Sequence, residues 1–246
     1  MERVSSGVPG LDVLLGGGFL KNSVNLIAGT PGSGKTILAV QFLTKGAELG
    51  EKGLYISLEE NSQQIINNVQ NLGIPLTAYL EKGLLVFKQF KLSPVEYEQL
   101  DPRISPSLAK MTPPKPPTIM DLYFTIKDSL SSENYSRLVI DSLSVLKLSS
   151  VDESQTRVEI AALFQYLKRQ GLTSIIISEK SKQEEEFSFE DFLADSLILM
   201  RDYLSREERK RGITVLKQRG ANCDRSIRPY VISSKGISIY PQERLF

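Results

Sequence analysis

Histidine and tryptophan are absent from this 246-residue chain, and cysteine occurs once, at Cys223. Without histidine and with a single thiol, the chain lacks the usual ligands of protein zinc sites and the commonest general base. A lone cysteine also excludes an internal disulfide framework. Any proton transfer therefore falls to aspartate, glutamate, lysine or tyrosine side chains.

The chain also lacks a strong net charge and a long hydrophobic run. Thirty Lys and Arg residues oppose 29 Asp and Glu residues, which leaves a formal net charge of +1. No overall field therefore draws the protein to nucleic acid or to an anionic membrane, and any such partner must be met by a local patch. No run approaches the roughly 18 to 20 apolar residues of a spanning helix, and the start has no apolar signal-peptide core. We therefore expect a cytoplasmic protein without a membrane partner.

Short β-rich runs alternate with segments of helical periodicity along most of the chain. The predicted strands cover residues 23–28, 53–58, 84–88, 137–141, 174–178 and 196–200. A helix over 62–73 has an apolar stripe of Ile65, Ile66, Val69 and Leu72, and a helix over about 152–169 has one of Val158, Ala161, Ala162, Phe164 and Leu167. This alternation predicts an α/β fold with a mostly parallel central sheet flanked by helices.

Two parts of the chain depart from this alternation. After residue 212, the runs ITVLK, IRPYVI and GISIY predict antiparallel strands at one edge of the sheet, with Tyr230 and Tyr240 as packing residues. At about residues 92–117, a segment holds seven of the 12 prolines. Because proline disfavours helices and central strands, we expect an insert in a single domain of residues 1–246. It is a surface loop, a partly disordered insert or a polyproline docking strip for another protein.

The stretch GTPGSGKT matches the phosphate-binding pattern G-x-x-x-x-G-K-[ST]. It consists of Gly29, Thr30, Pro31, Gly32, Ser33, Gly34, Lys35 and Thr36. The stretch follows an apolar strand and opens a helix, so backbone N–H groups, the helix dipole and the Lys35 ammonium would all act on phosphate oxygens. The Thr36 hydroxyl is the first predicted Mg²⁺ ligand. This setting predicts a site for a nucleoside triphosphate.

Carboxylates follow two other predicted strands, where they would meet the phosphates. RLVID ends at Asp141, which we interpret as the metal-side carboxylate. GLYISLEE ends with Glu59 and Glu60, and since neighbouring strand residues face opposite ways, at most one is expected to point steadily at the nucleotide. A carboxylate there can orient or deprotonate the attacking water; alternatively, the pair only complements the dipole of the next helix. These residues alone do not separate Glu59 from Glu60 as the base.

Together with their surroundings, these motifs resemble the KaiC-like branch of the RecA/RadA ATPase superfamily. The likeness includes RVSSGVPGLDVLLGGG before the phosphate loop, the tandem glutamates of SLEE, the VIDSLS strand and LKQRGANC near the C-terminus. It covers nearly the whole chain apart from the proline-rich segment. The resemblance implies a RecA-like domain that binds ATP and Mg²⁺ and assembles as a ring, commonly a homohexamer, with ATP between subunits.

The resemblance also implies roles for particular residues. Glu59 and Glu60 match the pair that serves as hydrolytic base, and Lys217 and Arg219 match a pair that reaches the γ-phosphate of the neighbouring subunit. Taken alone, this second pair would be read as a solvated strand face. A histidine that often follows in the family is replaced near Asn222. KaiC itself has two such domains, so clock function and autophosphorylation do not transfer to this chain.

The sequence leaves three functions open. The first is a slow, Mg²⁺-dependent ATPase ring or switch that regulates a protein partner. The second is a RadA-paralog-like accessory ATPase that binds DNA in recombination or repair, and the third is nucleotide binding without turnover. The loop 179–191 has two lysines and six carboxylates, so it would repel DNA phosphates, although the basic run at 206–211 could form a patch elsewhere. The first function is favoured.

Overall fold

A computed structural model describes residues 1–90, 118–148, 152–180, 187–205, 208–221 and 223–246. The proline-rich segment predicted at 92–117 and the position Asn222 lie outside the described residues. In the described part of the chain, no helix combines the length and the apolar character that a membrane span requires.

The described strands and helices follow the alternation predicted for an α/β domain. The strands are β1 (Arg3–Val4), β2 (Phe19–Leu20), β3 (Val24–Gly29), β4 (Gly53–Ser57), β5 (Leu85–Gln89), β6 (Arg137–Asp141), β7 (Thr173–Glu179), β8 (Ser196–Ser205), β9 (Glu208–Gln218), β10 (Arg228–Ser233) and β11 (Gly236–Ile239). The helices are α1 (Leu11–Leu14), α2 (Lys35–Glu48), α3 (Ser62–Asn71), α4 (Thr77–Glu81), α5 (Ile119–Ser132), α6 (Leu143–Leu148), α7 (Glu153–Arg169) and α8 (Phe189–Leu193).

Nine of the described strands form one sheet, in the order β11-β10-β9-β8-β3-β7-β6-β4-β5. From β8 to β5 the neighbouring strands are parallel. β9, β10 and β11 extend the sheet as antiparallel strands beyond β8. The predicted fold class, a mostly parallel sheet with antiparallel C-terminal edge strands, is therefore confirmed.

Apolar helices cover both faces of the sheet. On one face, α2 and α3 pack through residues that include Phe42 and Ile65. On the other face, α5 and α7 pack through residues that include Leu122 and Leu163. Every residue of β3 is buried, as is typical of a parallel strand covered on both sides. The loop after β3 therefore starts from the centre of the core.

The apolar stripe predicted for α7 is partly wrong. The buried apolar residues of this helix are Ile160, Leu163, Phe164 and Leu167. Their spacing places them on one face of α7. Val158 and Ala162 lie two residues before and two residues after Ile160. At about 100° of rotation per residue, they project from the opposite face. Val158 is accordingly 70% exposed, and Ala162 is exposed as well.

Candidate active site

The loop between β3 and α2 forms the base of the candidate site. At Gly32 and Gly34, φ is 77° and 92°, in the left-handed region that favours glycine. The hydroxyls of Thr30 and Ser33 are buried without a hydrogen-bond partner among the described residues. Because an unpaired buried hydroxyl is costly, these groups suit a polar ligand that reaches into the loop. α2 begins directly after the loop and adds the positive end of its dipole.

Lys35 is held by the loop that it belongs to. Its Nζ donates hydrogen bonds to the carbonyl oxygens of Gly29 and Thr30, each at 3.0 Å. Burial lowers the pKa of Lys35, and the carboxylate of Glu179, 3.9 Å from Nζ, acts in the opposite direction. The ammonium therefore lies inside the curve of the loop, where phosphate oxygens would be bound.

Asp141 ends β6 and contacts Thr36. The Thr36 hydroxyl donates a hydrogen bond to Asp141 Oδ2 at 2.9 Å, and the Tyr55 hydroxyl donates to the same oxygen. Burial raises the pKa of the Asp141 carboxyl, while these two hydrogen bonds oppose the rise. Tyr55 is fully buried and stacks on Phe87, with ring centroids 4.9 Å apart. The two predicted metal-side groups thus touch each other, and a buried tyrosine orients one of them.

Glu59 and Glu60 lie beyond the end of β4 rather than on it. Because β4 ends at Ser57, the strand alternation assumed for the two glutamates does not apply, and both line the same cleft. Glu59 accepts a hydrogen bond from the Ser142 hydroxyl. Ser57 Oγ donates to the backbone carbonyl of Glu60 at 2.6 Å. The carboxylate of Glu59 is therefore anchored beside Asp141, whereas Glu60 is held through its backbone.

One cleft of about 350 Å³ joins these groups. Its polar wall includes Lys35, Thr36, Glu59, Glu60, Asp141 and Glu179, and its apolar wall includes Ile65, Val69, Leu72 and Ile232. This volume lies within the usual range for small-molecule sites, about 300 to 1,000 Å³. A cavity of about 540 Å³ beside α2 is larger. None of the predicted site residues lines that cavity, so the smaller cleft is the candidate site.

Lys217 and Arg219 do not line this cleft in their own chain. Lys217 Nζ and Arg219 Nη2 donate to the carbonyl oxygen of Phe192, at 2.7 Å and 3.2 Å. The Arg219 N–H donates to the carbonyl of Asp195, whose own N–H donates to Val24, the first residue of β3. The phosphate loop follows the other end of β3. Burial, followed by the charge of Arg219, lowers the pKa of Lys217.

The groups present fit a magnesium ion bound together with a nucleotide. Among the described residues, no group of three or more His, Cys, Asp or Glu side chains could hold a metal by itself. Mg²⁺ usually keeps several waters and binds through one or two carboxylates plus the phosphates of a substrate. Thr36 Oγ1 and Asp141 Oδ2, 2.9 Å apart beside the phosphate loop, provide such a partial set.

Tyr55 and Tyr230 are two site residues that the sequence did not reveal, and Glu179, which lines the cleft beside Lys35, is a third. Tyr55 contacts Asp141, and Tyr230, predicted only to pack in an edge strand, donates from its hydroxyl to the carbonyl of Ser33 at 2.6 Å. The available signal is a tyrosine in a predicted strand, because a phenol that the fold buries needs a hydrogen-bond partner. That signal predicts that the hydroxyl has a hydrogen-bond partner, but it does not identify the partner.

Comparison with known proteins assigns the chain to a family. The family described as "ATPase: KaiC" matches residues 4–244, a range that includes the phosphate loop, Glu59, Glu60, Asp141, Lys217 and Arg219. The chain belongs to the KaiC ATPase family. The predicted resemblance is thereby confirmed, and the RecA-like fold agrees with it.

Individual members of the KaiC family differ in length. The chain is 31% identical to "Circadian clock protein KaiC3" of Synechocystis, over 98% of this chain and 46% of that protein. It is 30% identical to a UPF0273 protein of Pyrococcus horikoshii, over 99% of this chain and 96% of that protein. A crystal structure of a KaiC-like protein from Pyrococcus horikoshii covers 98% of this chain and 99% of its own, with a TM-score of 0.79 and 27% identity. The chain thus spans about half the length of the clock protein and nearly all of the UPF0273 relative.

Proposed function

We propose that this protein is a Mg²⁺-dependent ATPase that works as a ring-shaped oligomer, with ATP between subunits, and regulates a protein partner. The observation that carries the ATPase proposal is the convergence of the phosphate loop, the Thr36–Asp141 contact at 2.9 Å and the anchored Glu59 on one cleft. Membership of the KaiC ATPase family supports ATP as the nucleotide. The ring, commonly a hexamer, is inferred from the family resemblance, and a protein partner is preferred to DNA because of the negative charge of the loop 179–191.

The cleft offers a group for each step of hydrolysis. Lys35 and the N–H groups of the loop would bind the β- and γ-phosphates. Thr36 and Asp141 would hold Mg²⁺, which when bound neutralises charge on the phosphate oxygens. Glu59 would orient a water for in-line attack on the γ-phosphorus and accept its proton. The new O–P bond forms as the bond to the β-phosphate oxygen breaks, and ADP and phosphate leave.

Lys217 and Arg219 would act on the nucleotide of a neighbouring subunit. Two features support this proposal: both side chains lie away from the cleft of their own chain, and that of Arg219 is 53% exposed. Cations placed where the transition state gains negative charge can raise the rate of phosphoryl transfer by about 10³-fold to 10⁵-fold. Assembly would therefore control the rate, and an isolated chain would turn over slowly.

Light scattering coupled to phosphate release tests assembly and chemistry together. The purified protein should form a larger species with ATP and Mg²⁺ and should release phosphate only when Mg²⁺ is present. Binding of ATP without phosphate release under any condition of assembly would instead identify a nucleotide-binding protein without turnover. Full activity in a monomer would reject the proposed role of the neighbouring subunit.

The alternative function is a DNA-binding accessory ATPase, and one observation favours it. Arg209, Lys210 and Arg211 are exposed next to one another on β9. Lys210 lies 4.0 Å from Glu208, so part of this charge is offset. A gel-shift series over a range of salt concentrations, with single-stranded and duplex DNA, separates the two functions. Tight binding with a steep salt dependence would favour the accessory ATPase.

Two ion pairs offset part of the acidic charge that the sequence gives the loop 179–191. Two of its carboxylates, Glu190 and Asp191, are buried and paired with Lys147 and Lys180. Because Lys180 belongs to the same loop, setting both ion pairs aside leaves one lysine and four carboxylates in place of two and six. The loop therefore keeps an excess of negative charge that would repel DNA phosphates, and the gel-shift series tests this preference directly.

A further inference from the structure

The edge strand β10 contacts the phosphate loop through Tyr230. The Tyr230 hydroxyl donates a hydrogen bond to the carbonyl oxygen of Ser33 at 2.6 Å, across a separation of 197 residues in the chain. Tyr230 is only 3% exposed. Burial also raises the pKa of its hydroxyl, which therefore stays protonated and remains a donor over the physiological pH range.

This hydrogen bond determines the direction of a neighbouring N–H group. The carbonyl of Ser33 and the N–H of Gly34 belong to one planar trans peptide, so they point in opposite directions. Because the carbonyl is directed at Tyr230, the N–H of Gly34 points away from Tyr230, and Gly34 is itself one of the residues that line the cleft. N–H groups turned in this way are what a phosphate loop uses to bind its anion.

The same edge strands pack directly against the loop backbone. A Cβ atom at Gly34 would lie 2.9 Å from Cδ1 of Ile232 and 3.1 Å from Cδ1 of Ile237. On α2, the Gln41 side chain donates to the carbonyl of Ile237 at 3.2 Å and accepts from its N–H at 2.8 Å. β10 and β11 therefore support both the loop and the helix that it opens, and the Tyr230 hydroxyl lies within this closely packed contact.

We propose that Tyr230 is a positioning residue for nucleotide binding: its hydroxyl holds the Ser33–Gly34 peptide with the Gly34 N–H facing the phosphates. The proposal rests on the nucleotide site of the proposed function, although it requires neither hydrolysis nor a ring. It gives the C-terminal edge strands a role in the site of their own chain. This role is separate from that of Lys217 and Arg219 on β9, which would serve a neighbouring chain.

Tyr230→Phe tests the proposal, because phenylalanine keeps the packing and removes only the hydroxyl. The matched control is Tyr240→Phe, the same change at a tyrosine of the same edge that is 42% exposed. Without the hydroxyl the Ser33–Gly34 peptide is no longer held in one orientation before the ligand binds, so the ligand must order it. This should weaken the binding of ADP and ATP with Mg²⁺ about tenfold in Tyr230→Phe, a loss comparable to one hydrogen bond. The control should bind as the wild type does. Isothermal titration gives these dissociation constants.

A second readout separates positioning from general support of the fold. The amide resonance of Gly34 in a ¹H–¹⁵N spectrum should shift in Tyr230→Phe and stay in place in Tyr240→Phe, while near-ultraviolet circular dichroism remains that of the wild type. Unchanged affinity, an unmoved Gly34 resonance or a general loss of tertiary structure would each overturn the proposal. If the wild type binds neither ADP nor ATP, the proposed function fails as well. If the wild type binds both and Tyr230→Phe binds them equally well, the role of Tyr230 fails and the ATPase proposal stands.

Discussion

The carboxylate of Asp141 is well positioned by its neighbours, while burial disfavours its charge. Burial raises its pKa, and the hydrogen bonds from Tyr55 and Thr36 only partly oppose the rise. A carboxyl whose folded pKa exceeds its unfolded pKa costs stability above the folded pKa, and this cost disappears as the pH falls through the folded and then the unfolded value. The chain without nucleotide therefore keeps, at neutral pH, a charge that makes it less stable.

We expect Asp141→Asn to raise the free energy of unfolding of the nucleotide-free chain at neutral pH. Asparagine removes the buried charge and keeps an oxygen that can accept from Tyr55 or Thr36. Urea unfolding at a series of pH values should show the gain over the wild type shrinking toward acid pH. The variant should also lose the extra stabilisation that ATP and Mg²⁺ give the wild type. Lower stability at neutral pH, or full stabilisation by the ligand, would contradict this account of the site.

Glu59 and Glu60 are chemically alike but differently held, which predicts different roles. Glu59 is anchored by Ser142, and its charge acts on both Asp141 and Lys35. We expect Glu59→Gln to lower the rate of phosphate release by about 10²-fold to 10⁴-fold, the usual contribution of a general base. Glu60→Gln should have a much smaller effect.

Single-turnover phosphate release, measured beside nucleotide affinity, compares the two glutamine variants directly. Affinity should stay close to that of the wild type in both, because neither glutamate belongs to the phosphate loop. A larger loss of rate in Glu60→Gln than in Glu59→Gln would reverse the assignment of the base.

Residues that belong to a short sequence pattern or to a strand end could be predicted from the sequence. Residues whose role depends on contacts with distant parts of the chain could not. Lys35 and Thr36 lie within one short pattern, and Asp141 was found because it ends an apolar strand. Arg137 shows the limit: it is 1% exposed, donates to the carbonyl of Phe42 at 2.7 Å and lies over the Phe42 ring. Nothing near it in the sequence distinguishes it from an exposed arginine at the start of a strand.

At the scale of elements, periodicity predicts that a helix exists more reliably than which face it buries. The helix over 152–169 was expected and lies at Glu153–Arg169, yet Val158 and Ala162 are exposed. Apolar residues occur on both sides of α7, and only packing against the sheet selects one side. The lengths of β8 and β9 were also underestimated, because their outer parts are polar and arginine-rich.

The corrected face of α7 predicts a contrast between two substitutions. Leu163→Ala should lower the free energy of unfolding by about 2 to 5 kcal/mol, since it leaves a cavity between α7 and the sheet. Val158→Ala should change it by less than about 0.5 kcal/mol, as is usual at the surface. Chemical denaturation of both variants measures the difference. A loss in Val158→Ala as large as that in Leu163→Ala would contradict the burial of α7 described above.

At the scale of the whole molecule, the two sets of functional groups lie at different places on the chain. The phosphate loop follows the carboxyl end of β3, and the backbone of Arg219 is tied, through Asp195, to the amino end of the same strand. A single chain therefore presents a nucleotide cleft in one place and a pair of cations in another. The family resemblance implied this division, and the strand directions explain it. β9 runs antiparallel to β8, which is parallel to β3, so the carboxyl end of β9 lies at the amino end of β3.

The central claim is that ATP bound by one subunit is hydrolysed with the help of cations from the next. Mixing two separately inactive variants tests it most directly: Lys35→Ala lacks the phosphate-binding lysine and Arg219→Ala lacks the proposed cation. In a randomly mixed ring, roughly a quarter of the interfaces would join an intact cleft to an intact cation, because each variant supplies the group that the other lacks. The account predicts that phosphate release recovers to about that fraction of the wild-type rate on mixing. A mixture as inactive as its two components, under conditions in which the subunits are shown to co-assemble, would contradict it.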